Sequence, residues 1–244
     1  MTVGEFGDFM LKVSPFDSVH RQLDARFSDY AGWSLPADFG DPQVESQAIH
    51  SHCAVVDLCS FGRLYLKGDQ TKDMLSGVFP EKSGKFCADS WVWAKGSFDG
   101  EDILCRVVRL NGDYIVLTPP EKAQIVQKTL EAAANGSISV ADMTEKTAML
   151  GLYGPSAFES MRGVLPFDID HLDAGDVDKF SFFMIQFTLM RGSWLGADGL
   201  ELICPAQAGP VAAGAVAKYR HKHNITPAGM DCLLEAMAKA ETPL

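Results

Sequence analysis

"KFSFFMIQFTLMRGSWLGADGLELICP" (residues 179–205) reads as a strand, a glycine-rich turn and a second strand. Aromatic and β-branched residues dominate its flanks, and Gly192, Gly196 and Gly199 cluster between them, where a chain reverses most easily. The same grammar recurs upstream. "KFCADSWVWA", "EDILCRVVRL" and "DYIVLT" are strand-like, and Asn111-Gly112 between the last two is a hairpin signal, because both residues tolerate positive φ.

Helical segments lie among these strands without strict alternation. "SPFDSVHRQLDARF" opens on Ser14-Pro15 and places Phe16, Val19, Leu23 and Phe27 at helical spacing, which predicts a helix reaching Phe27. "QVESQAIHSHC" predicts a helix leading into a strand at residues 62–67, and "DQTKDMLSGVF" a short helix capped by Asp69. "PEKAQIVQKTLEAAAN", "PSAFESMRGVL" and "AQAGPVAAGAVAKYRHKH" are further helices. "ISVADMTEKTAMLGLYG" returns to strand, and "DYAGWSLPADFG" (residues 29–40) reads as a loop. The pattern predicts an α+β fold of mixed and antiparallel sheets with packed helices.

Composition narrows the function. A chain of 244 residues buries a large core in one domain or two small ones. A formal net charge of −11 argues against a nucleic-acid backbone as partner. No apolar run reaches the roughly 18 residues of a membrane span, and the acidic start lacks the basic region of a signal peptide, so a cytoplasmic protein is expected. Six cysteines without a C-x-x-C pair are expected to be reduced and structural. "HSHC" and "HKH" read as surface histidines, and no metal site is expected. G-x-S-x-G, G-x-G-x-x-G and P-loop patterns are absent.

Two turns pair glycines with carboxylates. One carries Asp99, Glu101 and Asp102; the other carries Arg191, Trp194, Asp198 and Glu201. Pattern alone leaves two readings open, a ligand site and a pair of polar hairpin tips.

Taken in order, the motifs resemble the aminomethyltransferase family, typified by the T-protein of the glycine cleavage system. "DYAGWSLPADFG" is similar to D-[FY]-A-G-W-E-M-P-x-x-[FY]-G, and "HSHCAVVDLCSFGRLYLKGDQTKDML" to the family's F-D-V-S-H-M-G region. "LGLYGPSA" resembles L-[AG]-[LV]-Q-G-P-x-A, "RGSWLGADGLELICP" resembles R-T-G-Y-T-G-E-D-G-[FVY]-E-[IL]-x-x-P, and "ITPAGMDCLLEA" is similar to the segment that follows. The resemblance spans nearly the whole chain.

It implies a folate-binding domain from residues 1–50 together with 142–244, and a second α+β subdomain over 51–141. It implies tetrahydrofolate as cofactor and a small methylated donor as substrate. Glu201 then grips the pterin edge, Trp194 keeps the aromatic face of the motif's tyrosine, Arg191 keeps the motif's first position, and Leu35 replaces the loop methionine as an apolar ligand contact. Trp33 braces that loop. Asp102, and after it Asp99, match the family's acid near the reacting folate nitrogen. Ala197 stands where the family has Glu, and the family continues past residue 244 into a β-barrel domain, so a protein partner or a second copy is expected to complete the channel. The resemblance carries two functions: a tetrahydrofolate-dependent methyl or aminomethyl transferase, and a non-catalytic small subunit of a sarcosine-oxidase-like complex.

Overall fold

The computed structural model describes residues 10–82 and 84–240, and they form the α+β fold of mixed and antiparallel sheets that the sequence predicts. The acidic residues 1–9 lie outside the described residues. In chain order the strands are β1 (Lys12–Val13), β2 (Arg26–Tyr30), β3 (Trp33–Asp38), β4 (Cys53–Asp57), β5 (Gly62–Lys67), β6 (Ser90–Phe98) and β7 (Glu101–Leu110). There follow β8 (Asp113–Thr118), β9 (Ser139–Asp142), β10 (Thr147–Tyr153), β11 (Val177–Phe182), β12 (Ile185–Arg191), β13 (Gly199–Pro205) and β14 (Ile225–Pro227). The α-helices are α1 (Asp17–Gln22), α2 (Pro42–Ser51), α3 (Thr71–Val78), α4 (Ala123–Ala134), α5 (Ala157–Arg162), α6 (Gly209–Tyr219) and α7 (Met230–Lys239).

Turn chemistry explains the hairpins. Asn111 and Gly112 have φ of 53° and 84°, and Asp99 and Gly100 have 52° and 83°. Two successive positive-φ residues twist a two-residue turn the way the flanking strands twist. The segment 29–40, read as a loop, is instead half of a third hairpin: Ala31 and Gly32 turn the chain, and β2 pairs with β3 from Tyr30↔Trp33 outward. The helix expected to reach Phe27 stops at Gln22, because Asp24 turns left-handed (φ 56°) and Phe27 joins β2 opposite Pro36. Its apolar spacing fitted a helix, but pairing with β3 satisfies its backbone better. α2 is capped by Asp41, which accepts from the N–H of Gln43 and Val44. α3 begins at Thr71 without any side-chain cap, so Asp69 does not serve as one.

Three sheets result, ordered β1-β3-β2, β11-β12-β13-β10-β4-β14 and β6-β7-β8-β5-β9. β4 lies in the six-stranded sheet, whereas β5 through β9 form the five-stranded one. One face of the five-stranded sheet packs on α3 and α4 through residues such as Leu64, Leu75, Val107, Val126 and Leu130. Its other face carries Trp93, Val108, Leu110 and Leu117 into the core it shares with the six-stranded sheet. Residues two apart on a strand share a face, so Arg106 points into that shared core with Val108. Among the described residues, no helix is long and apolar enough to cross a membrane. His50, His52 and His221 are exposed, as their sequence context implies, whereas His223 is half-buried with its ring against Gly163.

Candidate functional site

Glu201 sits on β13 between the two large sheets, wholly buried. Its register partners are Gly151 on β10 and Met190 on β12. Tyr153, two residues along β10 and on the same face, donates its hydroxyl to Glu201 Oε1 at 2.8 Å. From the facing sheet, Arg106 on β7 donates through Nη1 to Glu201 Oε2 at 2.5 Å. Both ends of this ion pair are fully buried. Burial pushes the Glu201 carboxyl above the ordinary range, and the charge of Arg106 and the bonds from Tyr153 and Arg106 offset only part of that. Burial, reinforced by the neighbouring carboxylate, raises the Tyr153 phenol well above its usual value.

Three tryptophans surround the guanidinium. Arg106 Cζ lies 3.8 Å from the Trp91 ring centroid, 5.6 Å from that of Trp93 and 5.5 Å from that of Trp194. The Trp93 and Trp194 rings meet edge to face at 5.4 Å. Trp91 is anchored by its indole N–H on the Arg191 carbonyl at 2.8 Å. Trp91 and Trp93 also line a cavity of about 470 Å³ together with Gly192, Ala197 and Asp198. Chemically this is a carboxylate at the foot of an aromatic box, suited to a flat group that presents N–H donors.

The residues singled out in the sequence are distributed unevenly about this site. Glu201 and Trp194 belong to it. Arg191 does not face Glu201, because it stands opposite Leu200 and so occupies the other face of the sheet. It forks onto Asp198 at 3.0 and 3.2 Å and donates to the Leu172 carbonyl. Leu35 is fully buried on β3, next but one to the buried Trp33. Asp102 is at the exposed end of β7, paired with Lys95 at 2.8 Å, and Asp99 is the first residue of the adjoining turn. Asp102 shares a strand face with Arg106, four residues and roughly 13 Å along β7 at the usual rise per residue.

Arg106, Tyr153, Trp91 and Trp93 are the site residues that motif reading passed over. A cue existed for the first: an arginine inside the otherwise apolar "ILCRVV" must be paired or stacked if that strand is central.

A second buried polar cluster ties the N-terminal segment to β4. Asp57 accepts from Ser14 Oγ at 2.5 Å and from the Cys59 N–H at 2.9 Å, and His20 Nε2 lies 2.9 Å from it. Burial alone would raise the Asp57 carboxyl. The His20 contact and charge and the Ser14 bond outweigh it and hold the group below the usual range.

Residues 16–239 match the family described as GCVT N-terminal domain, and the chain belongs to that family. It is 24% identical to an aminomethyltransferase of Cutibacterium acnes, a match covering 96% of this chain and 66% of the relative. An aminomethyltransferase of Saccharopolyspora erythraea is 23% identical over 95% of this chain and 64% of its own. The chain therefore spans just under two thirds of the length of these relatives. Its fold superposes on the glycine cleavage system aminomethyltransferase T of Bartonella henselae with a TM-score of 0.83 at 18% identity, covering 96% of this chain and 64% of that one. A chain of the heterotetrameric sarcosine oxidase of Corynebacterium sp. U-96 gives a TM-score of 0.55 at 15% identity, covering 86% of this chain and 95% of that one.

Proposed function

We propose that this domain serves tetrahydrofolate-dependent one-carbon transfer, taking a methyl or aminomethyl carbon from a small methylated donor to N5 of a reduced folate. The observation that carries the reading is Glu201, a buried carboxylate whose partner Arg106 lies among Trp91, Trp93 and Trp194. A pterin offers a flat ring for such walls and a row of N–H donors for such a carboxylate. In the transfer, the bond from the donor heteroatom to carbon breaks as the N5–carbon bond forms, and N5 gives up its proton. Asp102, on the same strand face as Arg106, is the candidate for stabilising charge at that nitrogen once released from Lys95, with Asp99 as the second. Arg191 supports the site from its surroundings by anchoring Trp91 through its carbonyl. A protein partner or a second copy is part of this reading, as is a cytoplasmic location. Titration with tetrahydrofolate, read as quenching of tryptophan fluorescence, tests the reading: saturable one-to-one binding is expected. No quench at millimolar folate by folded protein removes it.

The second reading, a non-catalytic subunit of a larger assembly, is favoured by a different observation. The tip of the β11–β12 hairpin is Phe183-Met184, 80% and 100% exposed, with both residues at positive φ (47° and 63°). Bulky residues hold that conformation only at a cost of roughly 1–2 kcal/mol each, and an exposed apolar tip gains nothing in water. The two-residue turn between β11 and β12 sets both positive φ values, and seating of the tip on a partner chain accounts for its apolar exposure.

A further inference from the structure

The chain buries two arginines completely, and the two are built differently. Arg63 donates to the carbonyls of Leu58, Phe61, Cys59, Thr144 and Thr147 and to the Thr147 hydroxyl, so that Nε, Nη1 and Nη2 are all engaged. Arg106 is engaged at one nitrogen. Its Nε and Nη2 are buried and have no hydrogen-bond partner among the described residues, and the same is true of the Trp194 indole nitrogen beside it. Arg106 is thus held by one charged bond to Glu201 and by stacking on Trp91, and it is not locked by carbonyls. An arginine serving as a structural strut satisfies its fork, as Arg63 does.

The contacts Arg106 does make are those of a ligand. A guanidinium is a flat group with N–H donors along its edge, and it lies against an aromatic face with that edge on a carboxylate. The amino-pyrimidinone edge of a pterin is an acylated guanidine, with the same donors in the same plane. We infer that Arg106 is an intramolecular occupant of the Glu201 site, filling the place of a guanidine-like ligand, so that an outside ligand reaches Glu201 only by displacing it. The inference rests on the proposed function only for the identity of that outside ligand. The stacked face of Trp91 and the cavity of about 470 Å³ that Trp91 and Trp93 also line give the displaced side chain or the incoming ring somewhere to go. Regulation follows directly: whatever draws Arg106 off Glu201 opens the site, and whatever holds it there keeps the domain closed.

Two variants test this on the full chain. Arg106→Ala removes the occupant and leaves the carboxylate in a guanidinium-sized space. Ethylguanidinium at about 10 mM is expected to raise the melting temperature of Arg106→Ala, while ethylammonium does not and the unchanged chain does not respond. Arg106→Lys keeps the charge and hence the fold, but loses the planar stack. Tetrahydrofolate is expected to bind it at least about tenfold more tightly than it binds the unchanged chain, roughly a 1.4 kcal/mol gain. Ethylguanidinium rescue without folate binding by any form keeps the occupant and removes the folate reading. If Arg106→Ala shows no rescue, or fails to fold even with ethylguanidinium, and Arg106→Lys binds folate no better than the unchanged chain, then Arg106 is a structural residue. That result overturns the inference while leaving folate binding by the unchanged chain to stand.

Discussion

Gly151 stands directly opposite Glu201 in the β10–β13 ladder, and the room it leaves is filled by the phenol of Tyr153. A Cβ at position 151 would lie 2.7 Å from both the ring Cζ and the hydroxyl oxygen of Tyr153, and 2.9 Å from Leu58 Cδ1. The missing side chain is therefore what allows a buried tyrosine to reach the buried carboxylate.

Gly151→Ala is accordingly expected to cost about 1–3 kcal/mol in urea unfolding, the usual range for overpacking a filled core. Tyr153→Phe, which keeps the ring but takes the donor from Glu201 Oε1, is expected to cost about 1–3 kcal/mol by itself. Wild-type stability in Gly151→Ala would mean that the Tyr153 ring has another place to lie.

Arg63 is expected to be the more sensitive of the two buried arginines. Arg63→Met removes a donor from five carbonyls in the turn after β4 and around the start of β10, and a loss of about 3–5 kcal/mol follows from leaving several such groups unpaired. Denaturant melts of Arg63→Met and Arg63→Lys check it. Lysine has three donors on one nitrogen and cannot span the same carbonyls, so it should recover little of the loss.

The pH dependence has a definite sign at two buried acids. Asp57 is held below the ordinary carboxylate range. Its contribution is therefore present above the unfolded value of about 4 and is lost as pH falls through the lower folded value. Glu201 is raised by burial, so its contribution is present below about 4.3 and is lost as pH rises through the raised folded value. Urea melts between pH 3 and pH 8 should show the gap between the parent and Asp57→Asn narrowing below about pH 4. The balance should shift in favour of Glu201→Gln, relative to the parent, as pH rises above about 4.3. Parallel curves for either pair would contradict the assignment.

The hairpin-tip acids separate enzyme from subunit. If Asp102 stabilises charge at the reacting nitrogen, Asp102→Asn should lower one-carbon transfer about 10²–10³-fold while the protein stays folded and keeps its folate affinity. Asp99→Asn should be mild in transfer, since residue 99 serves the turn at φ 52° and asparagine also accepts that conformation. Transfer unchanged in both variants would leave Asp102 as the exposed partner of Lys95, and the subunit reading would then take precedence.

Local chemistry made much of this protein legible. Asn111-Gly112 turns β7 into β8 because two adjacent residues tolerate positive φ, a preference that needs no distant partner. The order of motifs from "DYAGWSLPADFG" to "ITPAGMDCLLEA" was enough to point to the family, and it singled out Glu201 and Trp194 as candidates. Phe27 carries a helical apolar spacing and residues 29–40 read as a loop, yet both belong to the β2–β3 hairpin, and only the pairing partner decides that. Arg106 and Glu201 lie 95 residues apart on strands of different sheets, and in sequence each looks like one charge in an apolar strand. The packing of the two sheets face to face sets both charges in the same dry space, and in low dielectric a lone charge must find its opposite. Local turn chemistry determined the hairpin at Asn111-Gly112. Which charge meets Glu201 was decided by tertiary burial alone, because that pairing is a property of the space between the sheets and of no segment within either.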